Sequence, residues 1–187
     1  MKRFLLVAIT EDEGLSPELV QRLFESGLDY LYWRSAAPTD ALSSLPAAYV
    51  SRILVARETP IPFLRHSKEQ ERDAKSHSFS TSIHRLFDWP GLSADMVFFS
   101  PVFPSISKPG YGPTAPLAET AAEISRIRQE IPVLPLLIAL GGVTPANVRM
   151  LVAAGFDGAA VMGTLWQAPD PVAALRALQN AVTQDSR

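Results

Sequence analysis

Ser105, Ser107 and Lys108 place two hydroxyls and an ammonium within four residues, directly after the apolar run 97–103. Hydroxyls donate hydrogen bonds and a lysine supplies a point charge, so the set suits a phosphate. In a parallel α/β protein the loop that follows a strand is where ligand chemistry is placed. A second candidate lies at 138–147, where an apolar run meets Gly141-Gly142 and then Thr144-Pro145. Glycines there let backbone N–H groups approach an anion, and a helix N-terminus adds a favourable dipole. The same residues also suit a tight turn that only needs positive φ. One unit later Val161-Met162-Gly163-Thr164 repeats the design. Paired glycine-rich turns after the last two strands are the usual phosphate grip of a barrel, which favours Gly141, Gly142, Met162 and Gly163 as phosphate-binding positions.

The elements that must carry these residues alternate strand and helix. Strands are expected at 4–10, 28–34, 52–56, 62–65, 79–84, 95–100, 133–140 and 158–162. The run 133–140 is continuously apolar, as for a strand covered on both faces. Ser16-Pro17 opens a helix as N-cap and first-turn proline, Leu19, Leu23 and Phe24 give it a buried face, and Gly27 ends it. A weaker helix is expected at 38–49. The charged stretch 67–75 reads as a helix or a solvated loop. An amphipathic helix is expected at 116–130, with Pro132 as its stop. Thr144-Pro145 caps another, and 171–182 is the last. The recurring βα unit and eight strands indicate a (β/α)8 barrel of the TIM type. Between Arg57 and Pro62, after the third strand and at the start of the fourth, there is only 58–61, whereas parallel neighbours need a crossover of a dozen or more residues. The barrel is therefore expected to be trimmed around strands 3–4, eroded between the second and fifth. A flavodoxin-like open sheet is the alternative.

At 187 residues the chain is expected to form one domain, residues 1–187. It is 47% hydrophobic and 19% charged, enough to bury a core. A net charge of −2 without a basic block argues against nucleic acid. With no cysteine, disulfides, thiolate catalysis and Cys-ligated metals are excluded, and a cytoplasmic location is compatible. Lys2-Arg3 and the short apolar run after it read as a first strand rather than a secretion signal, because Glu11-Asp12-Glu13 follows without a cleavage site. No run approaches the roughly 18 apolar residues of a membrane span. Oligomeric state is left open, a homo-oligomer included.

Three segments together resemble the thiamine phosphate synthase/TenI family. Its loop after strand six reads "GP-[IV]-[FY]-x-T-x-[ST]-K", against Ser100-Pro101-Val102-Phe103-Pro104-Ser105-Ile106-Ser107-Lys108 here. Its strand seven reads "A-[IL]-G-G-[IV]", against Ala139-Leu140-Gly141-Gly142-Val143, and its strand eight "G-[AF]-x-G-[VA]-A-V", against Gly155-Phe156-Asp157-Gly158-Ala159-Ala160-Val161. The match is tight over the C-terminal half and rests on element order in the N-terminal half. The resemblance implies coupling of an aminopyrimidine methyl pyrophosphate to a thiazole phosphate, with Mg2+, releasing pyrophosphate. It places Ser105, Ser107 and Lys108 on the phosphates, and Gly142, Met162 and Gly163 on the thiazole phosphate. Ser82, two before His84, matches the family's pyrophosphate-binding serine in "S-x-H".

Departures lie in the N-terminal half. The family's "Q-[LI]-R-x-K" is Tyr32-Trp33-Arg34-Ser35-Ala36 here, keeping Arg34 alone, and "I-N-D-R" is Leu54-Val55-Ala56-Arg57, without a carboxylate. Mg2+ wants oxygen anions, which leaves Glu58, Glu69 or Glu71 as substitutes and the metal ligands unknown. The TenI branch isomerises a thiazole phosphate carboxylate without a metal, through a histidine where this chain has Pro101. His84 is then the candidate proton carrier, or a strand-end histidine making a structural hydrogen bond. His66 and His77, in charged or polar stretches, read as solvated. Arg34 supplies positive charge or pairs with a carboxylate in the barrel interior. Tyr32, Trp33, Trp89 and Trp166 are core or rim aromatics, and Tyr32 and Trp166 are suited to flank a heteroaromatic ring. Three functions are thus in view: a synthase-type transferase with Lys108, Arg34 and His84 as catalytic candidates and Mg2+ as cofactor, a metal-free thiazole isomerase, and a non-catalytic binding or regulatory protein for thiazole or thiamine phosphate.

Overall fold

The computed structural model describes residues 3–56, 59, 61–71, 77–106 and 110–183. Eight parallel strands close a barrel: β1 (Leu5–Ile9), β2 (Tyr30–Trp33), β3 (Ile53–Val55), β4 (Leu64–Ser67), β5 (Ser78–Ile83), β6 (Ala94–Phe99), β7 (Leu136–Leu140) and β8 (Gly158–Val161). Closure is by β8 on β1, with Val7 opposite Ala160, while Val7 also faces Tyr30 on the other side. The open-sheet alternative is thereby overturned.

Alternation along the strands builds two apolar layers. Val7, Ile9, Tyr32, Leu54, Met96, Phe98, Ile138 and Ala160 form the inner cluster. Residues one step out of phase, such as Ala8, Leu31, Trp33, Ile53, Val97, Leu137 and Ala159, pack outward against the helices. Strands buried on both sides read as continuous apolar runs for this reason.

The helices are α1 (Pro17–Glu25), α2 (Ala47–Val50), α3 (Leu117–Glu130), α4 (Val148–Ala153), α5 (Gly163–Trp166) and α6 (Pro171–Thr183). Ser16 caps α1 as expected, its Oγ accepting from the Leu19 N–H at 3.3 Å, and Gly27 turns the chain at φ 93°. The helix expected at 38–49 is instead a 3-10 turn (Asp40–Ser44) and the single turn α2, with Pro46 between them. Proline there lacks an N–H and restricts Leu45 to extended backbone, so one helix cannot run through.

Among the described residues no helix joins β3 to β4. Both strands are nonetheless parallel neighbours, with Leu54 opposite Leu64. They are short, so the return path is short, and Ile61 and Phe63 of the connection pack on the outer layer where a helix would lie. The fourth strand runs two residues further than expected, to Ser67, which takes Ser67 out of the expected charged stretch and buries it. A 3-10 turn (Glu69–Glu71) follows β4 and another (Leu86–Gly91) follows β5, so the erosion reaches one unit beyond the expected limit, to β6. Trp89 fills the second gap, fully buried, its Nε1–H donating to the Pro135 carbonyl at 3.0 Å.

Two aspartates tie strand starts at the end of the barrel away from the cavities described below. Asp29 accepts from the Leu6 N–H at 2.9 Å. Asp157 accepts from the Leu137 N–H at 2.8 Å and from Arg128 at 2.7 Å, and the Arg128 guanidinium also lies over the Trp89 ring. The Asp157 side chain is 9% exposed. Asp157→Ala removes the acceptor of a part-buried backbone N–H and one partner of Arg128, which keeps the Gly155 carbonyl and the Trp89 ring, so a loss of about 1–3 kcal/mol is expected. Urea unfolding at unchanged slope measures it, and a midpoint equal to wild type would refute it.

Candidate functional site

Two contiguous cavities open at the C-terminal ends of the strands. The larger, about 360 Å³, is lined by Ile9, Tyr32, Arg34, His66, Lys68, Glu69, Gln70, Ser82, His84, Leu140 and Met162. The smaller, about 70 Å³, is lined by Ser105, Ile106, Gly141, Gly142, Val143, Gly163 and Thr164 among others, and shares Leu140 and Met162 with the first. The structure thus brings Arg34, Ser82 and His84 to one chamber and Ser105 and the glycine turns to its neighbour. Ser107 and Lys108 lie outside the described residues.

The small chamber exists because two glycines let the loop after β6 lie on the end of β7. Gly141 and Gly142 have φ of 106° and 63°. Val102 N–H donates to the Leu140 carbonyl at 3.0 Å and Phe103 N–H to that of Gly141 at 3.2 Å. The loop enters through a cis Ser100–Pro101 bond. Asn147 Nδ2 donates to the Gly142 carbonyl at 2.9 Å, and its Oδ1 accepts from Thr144 N–H at 2.8 Å. Thr144-Pro145 therefore begins a turn rather than the helix, and α4 starts three residues later, after Asn147. Across the chamber, Thr164 Oγ1 donates to the Val143 carbonyl, locking α5 onto the β7 turn. The first N–H groups of a helix lack intrahelical acceptors, and Gly163 and Thr164, which begin α5, both line the chamber.

Arg34 is not an interior residue. Its Nη2 pairs with Asp12 at 3.2 Å at the rim, and its Nε donates to the Thr10 carbonyl at 3.4 Å. Both partners are largely exposed, so the pair holds the guanidinium loosely. His84 Nδ1–H donates to the Ser100 carbonyl at 2.8 Å, which leaves Nε2 to face Glu69 at 3.7 Å. His77 is exposed and pairs with Asp95, as expected of a solvated residue.

His66 contradicts its reading as solvated. It is 2% exposed, on the inner face of β4. Tyr32 lies 4.3 Å and Phe98 5.6 Å from it between ring centroids, and Nδ1 is 2.9 Å from Ser80 Oγ. Burial, with Lys68 and Arg65 adding to it, pushes its pKa down to about 4, so the ring is neutral. The signal was there in the two-residue step from Leu64, which puts both side chains on one face of a strand. Of the two suggested flanking aromatics, Tyr32 lines the large chamber, whereas Trp166 turns its Nε1–H to the Ile9 carbonyl at 2.6 Å.

Among the described residues the donor set does not fit a Mg2+ site. Such an ion wants several oxygen anions. Asp12 is exposed at the rim beside Arg34 and does not line the chamber, Glu69 stands among cationic and neutral neighbours, and the described residues contain no group of three or more His, Asp or Glu that could hold a metal. Glu58 and the side chain of Glu71 lie outside the described residues. No described helix is long and apolar enough to cross a membrane.

Residues 81–165 match the family model described as thiamine monophosphate synthase. A thiamine-phosphate synthase from Bordetella avium is 42% identical over 97 residues, 51% of this chain and 44% of that protein. One from Methanocella arvoryzae is 40% identical over 91 residues, 49% of this chain and 40% of that protein. The chain thus matches less than half the length of these relatives. In fold the likeness extends further. Thiamine phosphate pyrophosphorylases from Bacteroides thetaiotaomicron and Pyrococcus furiosus superpose with TM-scores of 0.76 and 0.71 at 20% and 19% identity, covering 98% and 97% of this chain and 100% and 96% of theirs. The segment that is similar to the thiamine monophosphate synthase family, residues 81–165, runs from β5 to α5 and carries the loop after β6, both glycine turns and the small chamber between them.

Proposed function

We propose that the chain makes thiamine phosphate, joining an aminopyrimidine methyl pyrophosphate to a thiazole phosphate in thiamine biosynthesis. The observation that carries this reading is the pair of joined chambers. One has a phosphate-sized end walled by glycine turns, and the other has an aromatic floor with cations at its rim. The thiazole phosphate would sit on the N–H groups beside Gly142, Gly163 and Thr164, its ring reaching past Leu140 and Met162. The methylene–oxygen bond of the pyrimidine pyrophosphate breaks with its electron pair on the leaving oxygen. The thiazole nitrogen lone pair then forms the new bond to the methylene carbon. Arg34, Ser82 and Lys108 stabilise the charge that grows on the pyrophosphate, and the apolar walls keep water from the cation.

Incubation of both substrates, with and without Mg2+, is expected to yield thiamine phosphate and pyrophosphate. Lys108→Ala should lower the rate by about a hundredfold while keeping thiazole phosphate binding. Absence of product from the wild-type chain would refute the synthase reading, and binding without turnover would favour a silent binding protein.

A second reading rests on His84. With Nδ1–H held by a carbonyl, its Nε2 lone pair is fixed towards the chamber, as a proton carrier for a thiazole isomerase requires. Interconversion of thiazole phosphate carboxylate isomers, lost in His84→Gln, would support it.

A further inference from the structure

Ser80 and His66 form a buried polar pair on the inner wall of the barrel, and its arrangement specifies a proton. Ser80 is 0% exposed, and among the described residues its hydroxyl has one partner, Nδ1 of His66. A buried hydroxyl proton without an acceptor is costly, so the hydroxyl donates to Nδ1 rather than accepting from it. A neutral imidazole carries one proton, and that proton is then on Nε2. No described residue accepts it. The ring is held in place by Tyr32 on one side and by Phe98, and it lines the large chamber. Around it, the chamber is lined by Ile9, Leu140 and Met162 and by the uncharged polar side chain of Ser82, while Arg34, Lys68, Glu69, Gln70 and His84 are exposed at the rim. An uncharged N–H donor in an apolar floor suits a lone pair on an uncharged ring better than an anion, which would leave water for a site without a counter-charge.

We infer that His66 reads the heterocycle: its Nε2–H donates to a ring nitrogen of an uncharged, planar nitrogen heterocycle seated on the chamber floor. The inference rests on the synthase reading for which substrate carries that ring, the aminopyrimidine, and gives His66 a binding role beyond the phosphate contacts. Ser80 is a positioning residue that fixes the imidazole tautomer.

The test compares binding of an aminopyrimidine with that of aniline, the same ring with carbon in place of its ring nitrogens. A neutral hydrogen bond predicts a three- to tenfold preference for the aminopyrimidine in the wild-type chain, at about 0.5–1.5 kcal/mol. The double variant H66F/S80A removes both polar partners and keeps an aromatic ring, so it should fold, bind inorganic phosphate as before and show a ratio near one. His66→Gln, which keeps an N–H donor on its side-chain amide, should retain the preference. Nitrogen-15 spectra of the His66 ring should report a proton on Nε2. Equal binding of the two probes by wild type, an undiminished ratio in folded H66F/S80A, or a proton on Nδ1 would each overturn the inference. Failure of the synthase reading is seen separately, as absence of thiamine phosphate in the coupling assay, which the binding ratio does not require.

Discussion

Gly142→Ala is expected to abolish coupling activity and to cost the barrel about 2–4 kcal/mol. Two effects add. At φ 63° the residue sits in the left-handed region, where a side chain is strained. The added Cβ would also fall against the Pro104 carbonyl oxygen and 2.8 Å from Phe103 Cβ, both on the loop that brings Ser105 to the small chamber. The loop cannot shift freely, because the Phe103 N–H is bonded to Gly141. The turn cannot shift either, because Asn147 holds the Gly142 carbonyl. Relief therefore dislocates the phosphate end of the site. Gly163→Ala is the contrast: its φ is not positive and the nearest atom to its Cβ is Gln167 Nε2 at 3.4 Å, the end of a flexible side chain. That variant should keep its stability. Urea midpoints and phosphate affinity separate the cases, and a Gly142→Ala protein with native values of both would refute the argument.

How much of this was legible in the sequence depends on whether a local signal and the tertiary outcome agree. They agree at Ser16-Pro17, where cap and first-turn proline leave one option, and at β7, though the strand takes only 136–140 of the expected 133–140 and Val133 is exposed. The glycine turns were legible because positive φ and close approach both demand glycine, and one physical need produced two readable positions. They disagree at 38–49, where apolar spacing suggested a helix but Pro46 divides it. His66 was misread because its neighbours are charged. Arg65 is exposed and Lys68 stands at the rim, so local polarity described the outside of a strand whose inner face holds the histidine. Partners in sequence space did not reveal it, since Tyr32, Ser80 and Phe98 come from three other strands.

The same burial makes the barrel acid-labile, by about 3 kcal/mol between pH 6.5 and 4. In the unfolded chain His66 takes up a proton near its ordinary pKa of 6.5, whereas in the fold it does so only near 4. Between these values the unfolded state binds more protons, so stability is full above pH 6.5 and declines as pH falls towards 4. Among the described residues nothing packed on the ring opposes the effect: Tyr32 and Phe98 cover its faces, Ser80 bonds its Nδ1, and Lys68 and Arg65 repel a second charge. Asp29 works with the opposite sign. Burial raises its pKa from 3.8, so its ionised form is penalised and stability falls as pH rises through its titration, which masks part of the histidine slope near its lower end. H66F/S80A isolates the histidine, because it leaves Asp29 in place. Urea unfolding at a series of pH values should show the wild-type slope between 6.5 and 4 largely lost in that variant. If both proteins lose stability in parallel over this range, the acid lability belongs to other groups and the imidazole is not held neutral by the barrel.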